Sequence, residues 1–508
     1  MLIRLPLILN AEDHLDSDLA VDGLTLLEAT QGHWRWHYPG TPHIGTPAVL
    51  LSWVQAKVWG ANPITLVSGG TVAACLIVVG TFVLAWQAFG HRVAAWGLIP
   101  SLFASAGTVW LSGRITGGHL LVTAWFAGML TLLVACWQVG GSRRAFCLGL
   151  GCGFGFYIDS MLAVLLVAMV PSSVLIWYFT SRSRIGLLAG LIFLVGLLVG
   201  DLPREIGRHL EPYDSYQGQF DPLWQRDVLK EHTRILFAEC LPRLIGGHPG
   251  MLFGPEPPPT KLAGRVAAVP KPPAFDPLSA VTTTYALVLF AVAMIPIGRK
   301  SLLWSTNPAQ AGLCLTLLLV MAEVIFAFII NRNIFNSDNY RYLVFLLIPW
   351  SLGFGLLMDR LSTQGPKGMM IALLLSITLS ALMTVDLFRW YRQYGWIDTS
   401  GAPQHVESTD PAIIYMRSHP EIRRIHGDYW DVYRLSFLTG GRLLPRPLAI
   451  YPDRYPESKA KDTSSEVYLI ARGGRVPSEG WESVATLRGM QIVRWARWAA
   501  PQNRQPWD

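Results

Sequence analysis

The sequence predicts a mainly α protein: a polytopic bundle of transmembrane helices with a small α/β domain at its carboxyl end. Of the 508 residues, 51% are apolar and only 15% are charged, which is not the composition of a soluble globular chain of this length. A helix that crosses a bilayer needs roughly 20 apolar residues. The stretches that we assign to bundle helices are 64–89, 93–111, 119–139, 145–158, 160–179, 185–201, 280–297, 311–330, 341–358 and 368–388.

Helical and soluble regions alternate along the chain. Residues 1–63 read as an outer acidic loop with interfacial helices, followed by transmembrane helices over 64–202. Residues 203–278 read as a large outer loop rich in proline, followed by transmembrane helices over 279–388. Residues 389–508 alternate helix-like and strand-like runs, which is typical of a small outer α/β domain. The runs that indicate its helix and strands are Pro411–Ser418, Val467–Ala471 and Met490–Trp495.

Positive charge marks one side of the predicted bundle. Alternate short connections carry most of the basic residues, and the positive-inside rule makes those connections cytoplasmic. Their basic residues are Arg92, Arg143, Arg144, Arg182, Arg184, Arg299, Lys300, Arg360 and Lys367. The opposite connections hold chiefly Arg114, Arg332 and Arg341, so residues 1–63, the 203–278 loop and the carboxyl end share the outer side. We therefore expect a multi-pass protein of the cell (inner) membrane with extracytoplasmic soluble parts. Its net charge of +7 suits anionic headgroups rather than nucleic acid.

The amino end is too short to cross a membrane by itself. Met1 to Asn10 holds one arginine and a short apolar run, which is neither a span nor a complete signal peptide. Either a helix precedes Met1 or this end inserts late, and we favour a preceding helix.

Three carboxylates cluster near the start of the outer acidic loop, ahead of a helix predicted over Asp22–Thr30. Asp18 and Asp22 would share one face of a helix, whereas Asp16 and Asp18 would share one face of an extended chain. Clustered carboxylates suit a general base or a divalent cation. The alternative is a solvated acidic loop in which Asp18 or Asp22 caps the following helix.

The motifs that follow resemble the GT-C superfamily of bacterial membrane glycosyltransferases, relatives of protein O-mannosyltransferases and of the aminoarabinose transferase of lipid A. The segment Asp16–Thr46 is similar to the family's first outer loop, and Tyr38–Gly45 fits its glycine–proline turn, with His43 in place of an aromatic residue. The further matches are Ser112–His119, Asn339–Leu343 and Gly427–Leu438. The sequence departs from the family at the acidic pair, which is usually Asp-Glu, because Leu19 follows Asp18.

This resemblance implies an integral membrane glycosyltransferase that moves a sugar, with inversion, from a polyprenyl-phosphate donor to a lipid, glycan or protein acceptor on the outer face. It implies Asp18 as the general base, with Asp16 assisting. The residues that we assign to the donor phosphate are Arg114, His119 and Arg341, and those that we assign to substrate binding are Asp22, Tyr38 and His43. No cofactor is implied with certainty, although a divalent cation could hold the departing phosphate.

Two other functions stay open on the sequence. A lipid-linked sugar transporter would place ionisable groups within the membrane, where Glu323 and Asp159 are the candidates, each of which a helix end or a neighbouring side chain could equally satisfy. A polysaccharide ligase or polymerase would bind its donor with arginines of the large outer loop. Those available are Arg204, Arg208, Arg226, Arg234 and Arg243. The aromatic cluster of Tyr429, Trp430 and Tyr433 suits either sugar binding or the core of the carboxyl-terminal domain.

Overall fold

The structure is a computed structural model that describes residues 2–180, 183–211, 221–247, 277–334, 337–406, 410–448, 453–455, 466, 468–472, 481–487 and 490–495. The helices of the amino-terminal part are α1 Leu5–Leu9, α2 Ala11–His14, α3 Ser17–Thr30, α4 Pro47–Trp59, α5 Pro63–Phe89, α6 His91–Leu102, α7 Ala106–Leu111, α8 His119–Val139, α9 Ser142–Ile158, α10 Ala163–Thr180 and α11 Ser183–Leu210. The later helices are α12 Arg226–Ile235, α13 Leu241–Ile245, α14 Pro277–Lys300, α15 Pro308–Ile330, α16 Leu347–Ser362, α17 Pro366–Gln393, α18 Pro411–Ser418 and α19 Tyr429–Leu438.

The strands form two sheets. The first is a hairpin of β1 His37–Tyr38 and β2 Thr41–Gly45. The strands of the second sheet are β3 Arg424–Gly427, β4 Leu444–Pro447, β5 Tyr468–Arg472, β6 Trp481–Leu487 and β7 Met490–Trp495. Their order is β4-β3-β5-β7-β6, with β3 parallel to both neighbours and the pairs β5–β7 and β7–β6 antiparallel. The predicted fold class is confirmed: a mainly helical bundle with a small α/β unit near the carboxyl end.

Within the described residues, seven helical segments are long and apolar enough to cross a membrane, as expected of a multi-pass membrane protein. They are Pro63–Phe89, His119–Val139, Ser160–Phe179, Pro277–Lys300, Pro308–Ile330, Asp338–Ser362 and Pro366–Gln393. The predicted stretches at 145–158 and 185–201 are also helical, within α9 and α11. The proline-rich part of the 203–278 loop, from residue 248 to 276, lies outside the described residues, as does Val467.

The interpretation of 93–111 as one helix is wrong. Helix α6 contains Pro100 and ends at Leu102, and α7 begins only after Ser105. The Ser105 hydroxyl accepts a bond from the Thr108 amide at 3.0 Å, which caps α7. The same hydroxyl lies 2.7 Å from the Leu244 carbonyl oxygen of α13. Apolar content alone does not reveal that a serine caps one helix and contacts another, so the hydropathy pattern did not show the break.

Opposite ends of the bundle hold different chemistry. At one end the guanidinium of Arg92 lies 3.2 Å from the Asp359 carboxylate, and Gln310 donates to the Ala88 carbonyl at 2.7 Å. At the other end, where α5 begins, helix α3 packs against α19 of the carboxyl-terminal unit. Residues of both form one apolar cluster, which includes Leu19, Leu24, Val432 and Phe437. The acidic loop and the carboxyl-terminal unit therefore lie together at the end of the bundle away from Arg92.

Candidate active site

Helix α3 sets the positions of the three aspartates. Asp16 is its N-cap, because the Asp16 side chain accepts a hydrogen bond from the Leu19 amide at 2.9 Å. The alternative in which Asp18 or Asp22 caps the helix is excluded, since the helix begins at Ser17 rather than near Asp22. Asp18 and Asp22 lie one turn apart on the same face, as the spacing predicted.

Burial separates the three carboxylates. Asp16 and Asp22 are each only 2% exposed, whereas Asp18 is half-buried. An acid that takes a proton from a substrate must be within hydrogen-bond reach of it. Of these three side chains, Asp18 therefore has the access that a general base requires.

Asp16 is engaged on both of its oxygens. While Oδ1 caps α3, Oδ2 lies 2.6 Å from Nη1 of Arg114, in a pair whose side chains are 3% and 15% exposed. Burial by itself would lower the pKa of Arg114, but the charge and hydrogen bond of Asp16 raise it. Arg114 also stacks 5.1 Å above the ring of Trp110. The pair joins the start of α3 to the connection between α7 and α8.

Two phenols hold Asp18. The Tyr429 hydroxyl donates to Oδ1 of Asp18 at 2.8 Å, and the Tyr38 hydroxyl donates to the Asp18 main-chain oxygen at 2.8 Å. Burial raises the pKa of both phenols well above the usual value, with nearby carboxylates adding to the rise. Both therefore remain protonated donors at neutral pH. Tyr38 therefore lies at the predicted site, but it contacts the main chain of Asp18 rather than its carboxylate.

The hairpin β1–β2 forms one wall of the site. Gly40 at its turn has φ +73°, and Nη1 of Arg454 donates to the Gly40 carbonyl at 3.0 Å. At the start of β1, the Glu211 carboxylate accepts from the amides of Trp36 at 3.0 Å and His37 at 3.3 Å. Sequence reasoning missed both Glu211 and Arg454. Neither lies in a recognisable motif, and their distance along the chain from the hairpin hides the contact.

Two of the three predicted phosphate-binding residues, Arg341 and His119, lie around the ring of Tyr342. The guanidinium carbon of Arg341 lies 5.4 Å from the centre of this ring, and the His119 imidazole lies 5.5 Å from it, edge-on. His119 is in turn 2.8 Å from Oδ2 of Asp159, through Nδ1. His43 lies near this pair, and its pKa is lowered by burial, against the opposing charge of Asp159. The structure thus brings His119, His43 and Arg341 together.

Arg114 and Arg341 each present a buried Nε that has no hydrogen-bond partner among the described residues. A buried donor left without a partner is costly, and a bound anion would satisfy it. Arg114 already has Asp16 as its ion-pair partner, whereas Arg341 forms no ion pair within the described part of the chain. Arg341 is therefore the stronger candidate for binding an anion, although the sequence favoured Arg114.

The acids and arginines of the alternative functions are mostly satisfied. Asp159 is fully buried, and the neighbouring side chain of His119 satisfies it. Glu323 lies within α15, and its Oε2 has no hydrogen-bond partner among the described residues. The loop arginines that pair with a carboxylate are Arg204 with Asp201, Arg208 with Glu205, Arg234 with Glu231, and Arg243 with Asp338. Paired arginines are poor candidates for a donor site of the ligase type.

The residues of the aromatic cluster on α19 belong to the interior. Tyr429 is 4% exposed and Tyr433 is fully buried, while Trp430 is partly buried. The Tyr433 hydroxyl contacts the carboxylate of Asp453 and the amide of Arg454. Two of the three rings therefore act in packing rather than as an open sugar platform.

A divalent cation finds no ready set of ligands here. In the described ranges, no group of three or more histidine, cysteine, aspartate or glutamate side chains is arranged to hold a metal ion. Two acids of the site are already engaged, Asp16 with Arg114 and Asp159 with His119. The donor set of these residues therefore fits a cation poorly.

Solved structures share this architecture. ArnT from Cupriavidus metallidurans, a lipid A aminoarabinose transferase of the GT-C superfamily, matches in the apo state and bound to undecaprenyl phosphate. Both matches have a TM-score of 0.57 and cover 99% of this chain and 97% of that chain, at 13% and 12% identity. The Archaeoglobus fulgidus oligosaccharyltransferase matches with a TM-score of 0.48 and 12% identity, over 89% of this chain and 64% of that chain. No family model matches the sequence, and no curated protein does. The fold that the sequence resemblance implied is confirmed, because the chain shares the architecture of ArnT.

Proposed function

We propose that the protein is an integral membrane glycosyltransferase that moves a sugar from a polyprenyl-phosphate donor to an acceptor on the extracytoplasmic face. The observation that carries the proposal is the position of Asp18, a half-buried carboxylate at the end of a helical bundle. Its charge acts on Arg341, whose buried Nε has no hydrogen-bond partner among the described residues. A base and a cation a short distance apart are what an inverting displacement at a glycosyl phosphate requires.

The chemistry can be written through these residues. Oδ2 of Asp18 accepts the proton of the acceptor hydroxyl, whose oxygen forms a bond to the anomeric carbon from the face opposite the phosphate. The bond from that carbon to the phosphate oxygen breaks, and the electron pair leaves with the phosphate. Arg341 would bind the phosphate oxygens through its planar fork, with His119 and Arg114 as further donors. Asp22, Tyr38 and His43 would border the sugar.

The membrane end of the site supports a lipid-linked donor. Arg341 lies in the segment Asp338–Ser362, which is long and apolar enough to cross a bilayer, so a phosphate held there has its lipid chain beside the bundle. The shared fold with ArnT, one structure of which is bound to undecaprenyl phosphate, supports the same class of donor. The sugar and the acceptor, whether lipid, glycan or protein, are to be identified by experiment.

Mass spectrometry of envelope lipids and glycans tests the proposal. Cells with and without the gene should differ in one glycosylated species, which the wild-type protein restores. Asp18→Asn should restore it about 10²–10⁴ times more slowly, because the amide cannot take the proton. Asp22→Asn should slow the restoration less than Asp18→Asn does, since Asp22 lies one turn further along the same face but is buried. Equal restoration by Asp18→Asn and wild type would overturn the assignment.

The alternatives give different results in the same comparison. A ligase would lose activity on substitution of the exposed loop arginine Arg226 and keep it in Asp18→Asn. A transporter would move a lipid-linked sugar across the membrane without forming a new glycosylated product.

A further inference from the structure

We infer that the carboxyl-terminal domain is part of the reaction centre, with Tyr429 and Arg454 as the positioning residues that orient the carboxylate of Asp18. The inference rests on the proposed function and extends it, because it assigns to this domain a role in setting the base rather than in binding an acceptor. Tyr429 lies at the first turn of α19, where Asp428 caps the helix by accepting from the Trp430 amide at 2.9 Å.

The direction of the hydrogen bonds is determined by chemistry. Arg454 donates from Nε to the Tyr429 hydroxyl oxygen at 3.3 Å, and Tyr429 donates to Oδ1 of Asp18 at 2.8 Å. A guanidinium can only donate, and an ionised carboxylate can only accept. The phenolic hydrogen is therefore directed at Asp18, and a chain of two bonds runs from Arg454 to the base.

The Tyr429 hydroxyl stays protonated at neutral pH, so the direction of these hydrogen bonds is kept. Burial raises the pKa of Tyr429 well above the usual value, and the charge of Asp18 raises it further. Arg454 keeps its charge at any accessible pH and lies 5.8 Å from the centre of the Tyr429 ring. Tyr429 therefore remains a donor wherever Asp18 is ionised.

The surrounding backbone is fastened to the same residues. The Ser17 hydroxyl donates to the Tyr429 carbonyl at 2.6 Å, which joins the start of α3 to the start of α19. Arg454 also donates from Nη1 to the carbonyls of Gly40 at 3.0 Å and Pro39 at 3.3 Å, which joins the hairpin to the same point. Gly40 is needed there, since a Cβ at this residue would lie 2.8 Å from Cδ of Arg454.

These contacts leave one oxygen of the base for the substrate. Within the described residues, Tyr429 is the hydrogen-bond donor to the Asp18 side chain, and it uses Oδ1. Oδ2 accepts no hydrogen bond within the described residues and is not a fully buried atom, so it is the oxygen left for the acceptor hydroxyl. Without the phenol the carboxylate would rotate freely, and fewer of its orientations would meet the hydroxyl productively.

A double-mutant cycle on the transfer rate tests the inference. The measurement is the initial rate at which the gene-dependent glycosylated species forms in membranes that hold equal amounts of each variant. Tyr429→Phe should lower the rate by about 10-fold to 100-fold, the range expected from one hydrogen bond to a charged group. In the Asp18→Asn background the same substitution should change the residual rate by less than about twofold, since a positioned base is no longer present.

Tyr455→Phe is the matched control. The Tyr455 hydroxyl donates to the Val21 carbonyl at 3.1 Å, so it joins α3 to the residue next to Arg454 without contacting Asp18. It should slow transfer by less than about threefold, in both backgrounds alike. Arg454→Met should resemble Tyr429→Phe, and Arg454→Lys should recover part of the rate.

The outcomes separate this inference from the proposed function. If the wild type forms no gene-dependent species, the proposed function fails, and the positioning role fails with it. If the wild type transfers and Asp18→Asn does not, but Tyr429→Phe is no slower than Tyr455→Phe, only the positioning role is overturned. Equal losses from Tyr429→Phe in both backgrounds would likewise assign Tyr429 to the fold alone.

Discussion

Asp16→Asn and Asp18→Asn should affect different properties, although the two residues are nearly adjacent. Removal of the Asp16 charge leaves Arg114 buried without its partner, and the broken pair should destabilise the fold by about 3–5 kcal/mol. We expect the lower end of this range, because the Arg114 side chain keeps 15% of its surface exposed. The helix cap itself survives, since asparagine still accepts from the Leu19 amide.

Asp18→Asn should leave stability within about 1 kcal/mol of wild type. Asp18 is half-buried, forms no ion pair within the described residues, and an asparagine oxygen continues to accept from Tyr429. The same variant should lose most of its transfer rate, for want of a group that takes the proton.

The assay pairs two measurements on each purified variant. Denaturation by SDS in mixed micelles gives the free energy of unfolding, and the transfer rate is taken under conditions where each variant is fully folded. Wild-type stability of Asp16→Asn together with complete loss of transfer would refute this reasoning. Asp16 would then be the reacting acid, and its contact with Arg114 would be incidental to folding.

Other predictions concern the phosphate site, helix packing and pH. Arg341→Lys should reduce transfer at limiting donor by about tenfold, as measured by donor titration. Arg114→Lys should chiefly lower the free energy of unfolding, as measured by SDS denaturation. A larger loss of donor use in Arg114→Lys than in Arg341→Lys would contradict the choice of Arg341 as the stronger phosphate-binding candidate. Gly23→Ala should cost about 1–3 kcal/mol in SDS denaturation, because the added Cβ lies 2.7 Å from the ring of Phe437; an unchanged midpoint would show that the ring moves freely. Burial lowers the pKa of His14 to about 4, whereas His14 of the unfolded chain takes up a proton near pH 6.5. The free energy of unfolding should therefore fall by about 3 kcal/mol as the pH drops from 6.5 towards 4. Denaturation at both pH values in wild type and His14→Gln tests this, and an equal fall in both would exclude His14.

Local patterns in the sequence predicted local structure well. The helix Pro411–Ser418 and the strand Met490–Trp495 have the predicted bounds, because apolar periodicity and strand alternation depend on near neighbours. The break between α6 and α7 was missed because its cause lies elsewhere in the chain. Ser105 contacts the Leu244 carbonyl, and no window around 93–111 contains that partner.

The site shows the same division between local and distant contacts. The spacing of Asp18 and Asp22 correctly placed them on one helix face. The contact of the Tyr38 hydroxyl with the Asp18 main chain was not predicted. The donor to Asp18, however, is Tyr429, 411 residues away along the chain. Aromatic content made the segment around Tyr429 look like a sugar platform or a core, because a single sequence does not reveal which distant carboxylate a phenol meets.

The departure at Leu19 has a physical reason in the fold. Leu19 is fully buried in the apolar cluster shared by α3 and α19, so a glutamate there would place a carboxylate in an apolar interior. The acid that the family usually has beside the base therefore has no equivalent position on this helix. Asp16 does not replace it, since its oxygens cap α3 and bind Arg114. We expect the donor phosphate to be held by arginine, with Asp18 as the one accessible acid of the three aspartates on this helix. The substitution Leu19→Glu should consequently lower the free energy of unfolding, measured by SDS denaturation, without raising the transfer rate, and a faster variant would refute this account.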